Sequence, residues 1–201
     1  VKDLGSFDYV IVGAGSAGCV LANRLSENPN TSVALLEAGG KDNYVWIHIP
    51  VGYLYCMGNP RTDWGFKTEP DAGLNGRSLN YPRGRVLGGC SSINGMIYMR
   101  GQSNDYDQWR QSGNTGWGWD DVLPCFKRSE SWEGGSSELR GGSGPLSVSS
   151  TRLSRGAVDC YVEAAQTAGY PYNEDYNGES QEGVGYFQLT AARGQRCSAA
   201  K

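Results

Sequence analysis

The chain has a single histidine, His48, among its 201 residues. Histidine is the usual general base near neutral pH. Apolar neighbours and no visible partner make His48 a structural residue in this reading. Six cysteines (Cys19, Cys56, Cys90, Cys125, Cys160, Cys197) stand far apart and none forms a CxxC pair, so metal ligation has little support. An even count allows disulfides, but in a chain that can bury a large core isolated cysteines read as reduced, small apolar residues. No apolar run approaches the roughly 20 residues of a membrane span. No charged-then-apolar leader precedes the first apolar run, so no signal peptide is expected. Lysine and arginine are scattered, the formal net charge is -3 and the pI is about 5.2. That balance argues against nucleic acid, whose phosphates need gathered positive charge. No internal repeat is present. A cytoplasmic location is the expectation, with a secreted or periplasmic one left open.

What the chain does have is glycine, 30 residues of it, on a mean hydropathy of -0.50. Its first forty residues read as strand, glycine turn, helix and second strand. Residues 9–12 are apolar throughout, the pattern of a parallel-sheet strand buried on both faces. Ala17, Val20, Leu21 and Leu25 share a helical face that would lie on that sheet. Between them is Gly13-Ala14-Gly15-Ser16-Ala17-Gly18. Gly13 permits the tight turn, Gly15 lets backbone approach a pyrophosphate, and Gly18 lets helix and strand close up. The helix start directs free N–H groups and positive dipole at phosphates. Glu37 stands 19 residues after Gly18, at the end of the second strand, where a carboxylate can hold both ribose hydroxyls of an adenosine. The motif alone leaves NAD and FAD both open.

Residues 44–57 are apolar and aromatic without clear period, either a core segment or a flap over a bound ring. Residues 64–68 and 77–81 alternate in character about Asn75-Gly76, which predicts a hairpin with a longer loop. Residues 84–97 form a second glycine-rich element with small hydroxyl residues at a helix start. It reads as another nest of backbone donors for an anion, or as a surface loop with a cap. Helices are expected over 103–111, 120–130 and 153–168, and a strand within 184–189. The glycine- and serine-rich segment 133–144 is either a linker or a lid.

The stretch GRVLGGCSSINGMIYMRG over 84–101 is similar to the first signature of the glucose-methanol-choline (GMC) flavoprotein oxidoreductases. The amino-terminal GxGxxG with LLEAGG resembles the FAD-binding start of that family. The resemblance continues through residues 63–66, 105–109, 121–130, 144–146, 176–185 and 193–198, and so covers nearly the whole chain. Bacterial alcohol and choline dehydrogenase-like members are the most similar. The resemblance implies FAD and not NAD. It implies an α/β chain (α+β overall): a Rossmann-like FAD-binding domain over 1–132, the linker or lid at 133–144, the start of an antiparallel-sheet substrate domain at 145–190, and a return toward the FAD domain at 191–201. Gly13, Gly15 and Gly18, with Ser16 and Ala17, would lie at the pyrophosphate, and Glu37 with Ala38 at the ribose. Trp64, Arg85, Val86, Gly89, Asn94, Gly95, Met96 and Ile97 would line the pyrophosphate-to-flavin side. Cys90 stands where many members have serine. Ile93 stands where some members bond the flavin through a histidine, which implies non-covalent FAD.

The activity implied is oxidation of an alcohol by hydride transfer to flavin N5. Alternatives within the same fold are a flavin-dependent lyase and a fatty acid photodecarboxylase; a non-catalytic flavin-binding fragment is a third reading. The family's catalytic histidine and its His or Asn partner lie in the carboxy-terminal part. His48 does not align with them, so no catalytic residue is expected in this chain. The last residues, 196–201, look like the first turn of a continuing helix. The expected partners are therefore a small alcohol and a remaining carboxy-terminal part of the protein, with no metal, no nucleic acid and no membrane span.

Overall fold

A computed structural model describes residues 5–153 and 155–201. It divides into two compact units, Val1–Met96 with Arg193–Lys201, and Ile97–Ala192.

The first unit begins with β1 (Tyr9–Val12), α1 (Ser16–Leu25) and β2 (Val33–Leu36). The strands pair in parallel, Tyr9 with Val33 through Val12 with Leu36, as the alternation of strand, glycine turn and helix dictates. Burial departs from expectation. Only Ile11 of β1 is buried, and Val12 is 84% exposed. The helix presents Gly18, Ala22 and Leu25 inward, while Ala17, Val20 and Leu21 face out. The reason is physical: β1 has one hydrogen-bonded neighbour and the sheet two strands, so half of its surface has nothing among the described residues to cover it.

Residues 44–57 supply the core of this unit. They fold as α2 (Val45–His48), a 3-10 turn (Pro50–Gly52) and α3 (Tyr53–Cys56). Ile47 and Cys56 pack with Val86 and Ile93, and Tyr44 and Trp46 lean on that cluster. His48 lies outside it, exposed, with Nε2 2.7 Å from the Asp42 carbonyl. The expected hairpin is present as β3 (Phe66–Lys67) antiparallel to β4 (Asn80–Tyr81), with Phe66 opposite Tyr81. Asn75 and Gly76 at its tip both adopt left-handed backbone, φ 56° and 71°. Asp63, 4% exposed, anchors the hairpin base. Its carboxylate accepts N–H bonds from Gly58 (2.7 Å), Gly65 (3.0 Å) and Arg83 (3.1 Å).

The second unit opens with β5 (Ile97–Tyr98), α4 (Ser103–Gln111) and α5 (Trp119–Ser129). The Asp105 carboxylate takes the Gln102 N–H and the Asp121 carboxylate takes the Gly118 N–H, so each helix carries an acid at its positive end. Tyr106 packs against Trp109, Trp119 and Phe126 at ring-centroid distances of 5.4 to 5.7 Å, joining the two helices. Then come β6 (Glu130–Trp132), β7 (Leu146–Val148), α6 (Gly156–Thr167), β8 (Gln188–Leu189) and β9 (Ala191–Ala192). The pairs β5–β8, antiparallel, and β6–β7, parallel, are separate two-stranded sheets. Residue 154, within the helix expected over 153–168, lies outside the described residues. The chain closes in the first unit with β10 (Gln195–Arg196), where the start of a helix was expected; Lys201 N donates to Ser198 O in a single turn.

The sequence assigns 97–132 to the first domain, yet these residues cluster with 133–192. One fully buried carboxylate at the α5–β6 junction ties these segments together. Glu130 receives Arg100 Nη2 at 2.5 Å, Arg140 Nη2 at 2.5 Å and Gly141 N at 2.9 Å. Arg140 also reaches Asp175 at 2.7 Å and Gln188 at 2.9 Å. Burial works against the Arg140 charge, but Glu130 and Asp175 overcome it and its pKa is raised. The far end of the 133–144 segment is thereby packed into the unit.

Two measurements check these anchors. Glu130→Gln removes the acid between two buried cations and should cost about 3 kcal/mol of stability, read by denaturant titration. Burial works to raise the Asp63 pKa, and the surrounding backbone N–H donors outweigh it, holding the carboxyl below its ordinary value of 3.8. A depressed carboxylate stabilises fully above the unfolded pKa, near 4, and loses that contribution as pH falls through the folded value. Wild-type stability should therefore drop more steeply below about pH 4 than that of Asp63→Asn.

Candidate functional site

The first glycine turn is held by the C-terminal end of β2. Gly13, at φ 93°, donates its N–H to Leu36 O at 2.7 Å. Glu37 then places its two carboxylate oxygens on Ala14 N (2.8 Å) and Gly39 N (2.7 Å). Each oxygen retains a lone-pair direction for a further donor such as a hydroxyl. A Cβ at Gly18 would stand 1.9 Å from Gly13 O, so only glycine lets α1 sit this close to the turn.

The second glycine turn meets the first backbone to backbone. Gly88 N donates to Ala14 O at 2.7 Å, and a Cβ at Gly89, φ 53°, would lie 2.8 Å from Gly15 Cα. The chain continues from Gly88 into a four-residue 3-10 turn, Gly89–Ser92, in place of a helix start. Its hydroxyls are spent inward: Ser91 Oγ donates to Gly88 O and Ser92 Oγ to Leu87 O. The backbone N–H groups of Gly88, Gly89 and Ser91 are likewise spent within the protein, on Ala14 O, Val86 O and Gly88 O.

The two turns border a cleft of about 800 Å³. Gly13, Gly15, Glu37, Ala38, Trp64 and Gly89 of the expected residues line it. Val12, Leu36, Phe66, Tyr81 and Arg83, none of them expected, line it as well, together with Gly84 and Cys90 of the second glycine-rich element. Trp64 and Phe66 stack with centroids 5.8 Å apart and planes 2° from parallel, and the Arg85 guanidinium lies 4.8 Å from the Trp64 ring. An apolar aromatic ledge beside a carboxylate and two glycine turns suits a planar ring joined to a sugar and an anion.

The remaining expected residues lie off the cleft wall. Ser16 and Ala17 are exposed in the first turn of α1, where helix geometry leaves their N–H groups without intrahelical partners. Gly18 is buried beneath them. Val86 is a core residue. Asn94 is exposed and Gly95 half-buried, while Met96, buried and at φ 64°, is one of three non-glycine residues with positive φ among the described residues. Ile97 opens β5 in the other unit. Cys19, against the first turn, donates its thiol to Ala14 O, and burial pushes its pKa up. Among the described residues no group of three or more His, Cys, Asp or Glu is placed to hold a metal, and no helix is long and apolar enough to cross a membrane.

The family model described as GMC oxidoreductase matches residues 7–201. The chain belongs to this family. It is 48% identical over 195 residues to the oxygen-dependent choline dehydrogenase of Photobacterium profundum, covering 96% of this chain and 34% of that protein. The same name and identity hold for a Vibrio vulnificus relative, at 96% and 35%. The chain spans about a third of the length of these curated relatives. Among solved structures, pyridoxine 4-oxidase from Mesorbium loti superposes with a TM-score of 0.91 at 37% identity, covering 97% of this chain and 38% of that one. An Aspergillus oryzae formate oxidase variant, described for its effect on FAD modification, superposes at 0.87 and 31% identity, covering 100% and 37%. The α/β fold expected from the sequence is the fold these structures share with the chain.

The cleft residues missed in the sequence come mostly from the hairpin. Its alternation was legible, and the same alternation puts Phe66 and Tyr81 opposite each other on one face. The glycine contact supplies a direct check. Gly89→Ala, which would force a methyl against Gly15, should lower stability by about 1–2 kcal/mol. Gly95→Ala, where a Cβ meets nothing within 4 Å, should change it by under about 0.5 kcal/mol. Thermal melts of the two variants decide.

Proposed function

We propose that this chain is the FAD-holding amino-terminal region of an enzyme that oxidises an alcohol. The observation that carries the reading is the convergence of Glu37, the Gly13–Gly15 turn and the Gly89 turn on one cleft. The residues present fit the group. Glu37, already oriented by two N–H donors, has lone pairs for ribose hydroxyls. The first turn of α1 brings unpaired N–H groups and positive dipole to a pyrophosphate, and the close approach at Gly89 clears side chains from the same wall. Trp64, Phe66 and Tyr81 exclude water from the apolar side. When bound, the flavin would supply the hydride-accepting chemistry. This chain's residues bind and orient it, and His48, which does not line the cleft, is not the proton acceptor for an alcohol in this reading. The acceptor is assigned to the rest of the protein, with residues 145–190 beginning the substrate region. The grouping of 193–201 with the first unit supports a return of the chain to the cofactor domain.

FAD is held non-covalently in this reading, since Ile93 presents only an alkyl side chain and that side chain is buried in the core. The similarity to choline dehydrogenases favours an alcohol substrate, and a cytoplasmic location is retained. The full-length protein tests the reading under anaerobic conditions. Its flavin absorbance should bleach on addition of a primary alcohol such as choline; persistent oxidised flavin with every alcohol tried would sink it. Acid denaturation should release FAD into the supernatant. Glu37→Ala should lose at least about ten times more affinity for FAD than His48→Ala, measured by flavin fluorescence, because only the former removes a cleft residue.

A further inference from the structure

The cleft bordered by the two glycine turns is short of positive charge. Most of the backbone donors around it are committed within the protein. Gly13 gives its N–H to Leu36 O and Ala14 to Glu37, while Gly88, Gly89 and Ser91 give theirs to Ala14 O, Val86 O and Gly88 O. The first turn of α1 keeps free N–H groups, and a helix end of this kind is equivalent to about half a positive charge. A diphosphate diester carries a negative charge on each phosphate, and the Glu37 carboxylate lines the same cleft. The helix end alone leaves that sum well negative.

Arg83 is the one cationic side chain lining the cleft among the described residues. Its backbone N–H donates to the buried Asp63 carboxylate at 3.1 Å, which fixes where the side chain starts. The guanidinium lies 4.0 Å from the ring centroid of Tyr81, itself a cleft residue, and Nη1 donates to Pro82 O at 3.0 Å. No ion pair among the described residues includes Arg83. A guanidinium is a planar fork of donors, so stacking on Tyr81 sets its plane and leaves its other N–H groups to an anion. Phosphate oxygens match that fork, and a charge-assisted bond to them is roughly twice as strong as a neutral one.

We propose that Arg83 is the counter-charge for the diphosphate of FAD and makes the cleft prefer adenosine that carries a diphosphate to adenosine alone. This rests on the reading of the chain as FAD-holding. Arg61 supplies the contrast, an arginine of the same unit whose guanidinium lies 4.8 Å from the Tyr44 ring and bonds Asn43, outside the cleft lining.

The test is equilibrium FAD binding by the full-length protein, read by flavin fluorescence, with ADP and adenosine as competing probes. Arg83→Gln should weaken FAD and ADP by about tenfold or more and leave adenosine within about twofold of wild type. Arg83→Lys, which keeps the charge, should lose less, and Arg61→Gln should match wild type. Added salt should weaken FAD binding more steeply in wild type than in Arg83→Gln. Unchanged FAD affinity in Arg83→Gln overturns the inference, as does an equal loss for ADP and adenosine or a loss confined to FAD with ADP untouched. Should Arg83→Gln fail to fold, the wild-type salt dependence decides, and a flat one counts against the counter-charge. Wild-type protein that binds neither FAD nor ADP would instead refute the cofactor reading itself, a different result from an unchanged variant.

Discussion

The first unit depends on backbone meeting backbone where two glycine turns touch. A hydrogen bond from Gly88 to Ala14 draws the turns together, and the contact with Gly15 leaves no room for a β-carbon on Gly89. Everything else in the site depends on that closeness. Glu37 can span two N–H groups because the first turn is fixed, and the aromatic residues of the hairpin line the same cleft as the glycines. The same arrangement explains a seeming extravagance. Val12 and Leu36 remain exposed at the ends of their strands because they border the cleft, where an apolar surface awaits a ligand.

Local chemistry was legible in the sequence wherever neighbours in the chain decide the outcome. The strand–turn–helix start, the hairpin about Asn75-Gly76 and the helix over 103–111 all rest on short-range rules of turn residues and capping acids. Burial was not legible in β1 and α1, because periodicity names a face without saying what covers it. Position in space was harder still. Nothing in the sequence joins Glu130, Arg140 and Asp175, and only the fold brings them into one cluster around the buried Glu130 and Arg140. Arg196 is the sharpest case: its motif is recognisable, yet its partners Ile47, Ser91 and Asn94 are about 100 or more positions away. The candidate site shows the same split. Residues of the glycine motifs were found by pattern, whereas Phe66, Tyr81 and Arg83 joined them through the hairpin fold.

The two units solve the problem of buried charge differently. Around Glu130, opposite charges meet directly and every guanidinium nitrogen of Arg140 has an acceptor. Around Arg196, carbonyl and amide dipoles replace the counter-ion and one nitrogen goes without. A satisfied cluster of the first kind stabilises and specifies a fold. The second kind holds a cation at the expense of the fold, a pattern associated with functional sites.

The loop between β6 and β7 has its two ends fastened together, with Trp132 N bonded to Gly141 O at 2.8 Å and Arg140 tied to Glu130. Its tip, by contrast, is exposed from Glu133 to Glu138. A loop pinned at its base and open at its tip is a natural port for a guest domain. A reporter whose own termini lie close together, spliced between Gly135 and Ser136, would be carried on a stem that the second unit already keeps shut.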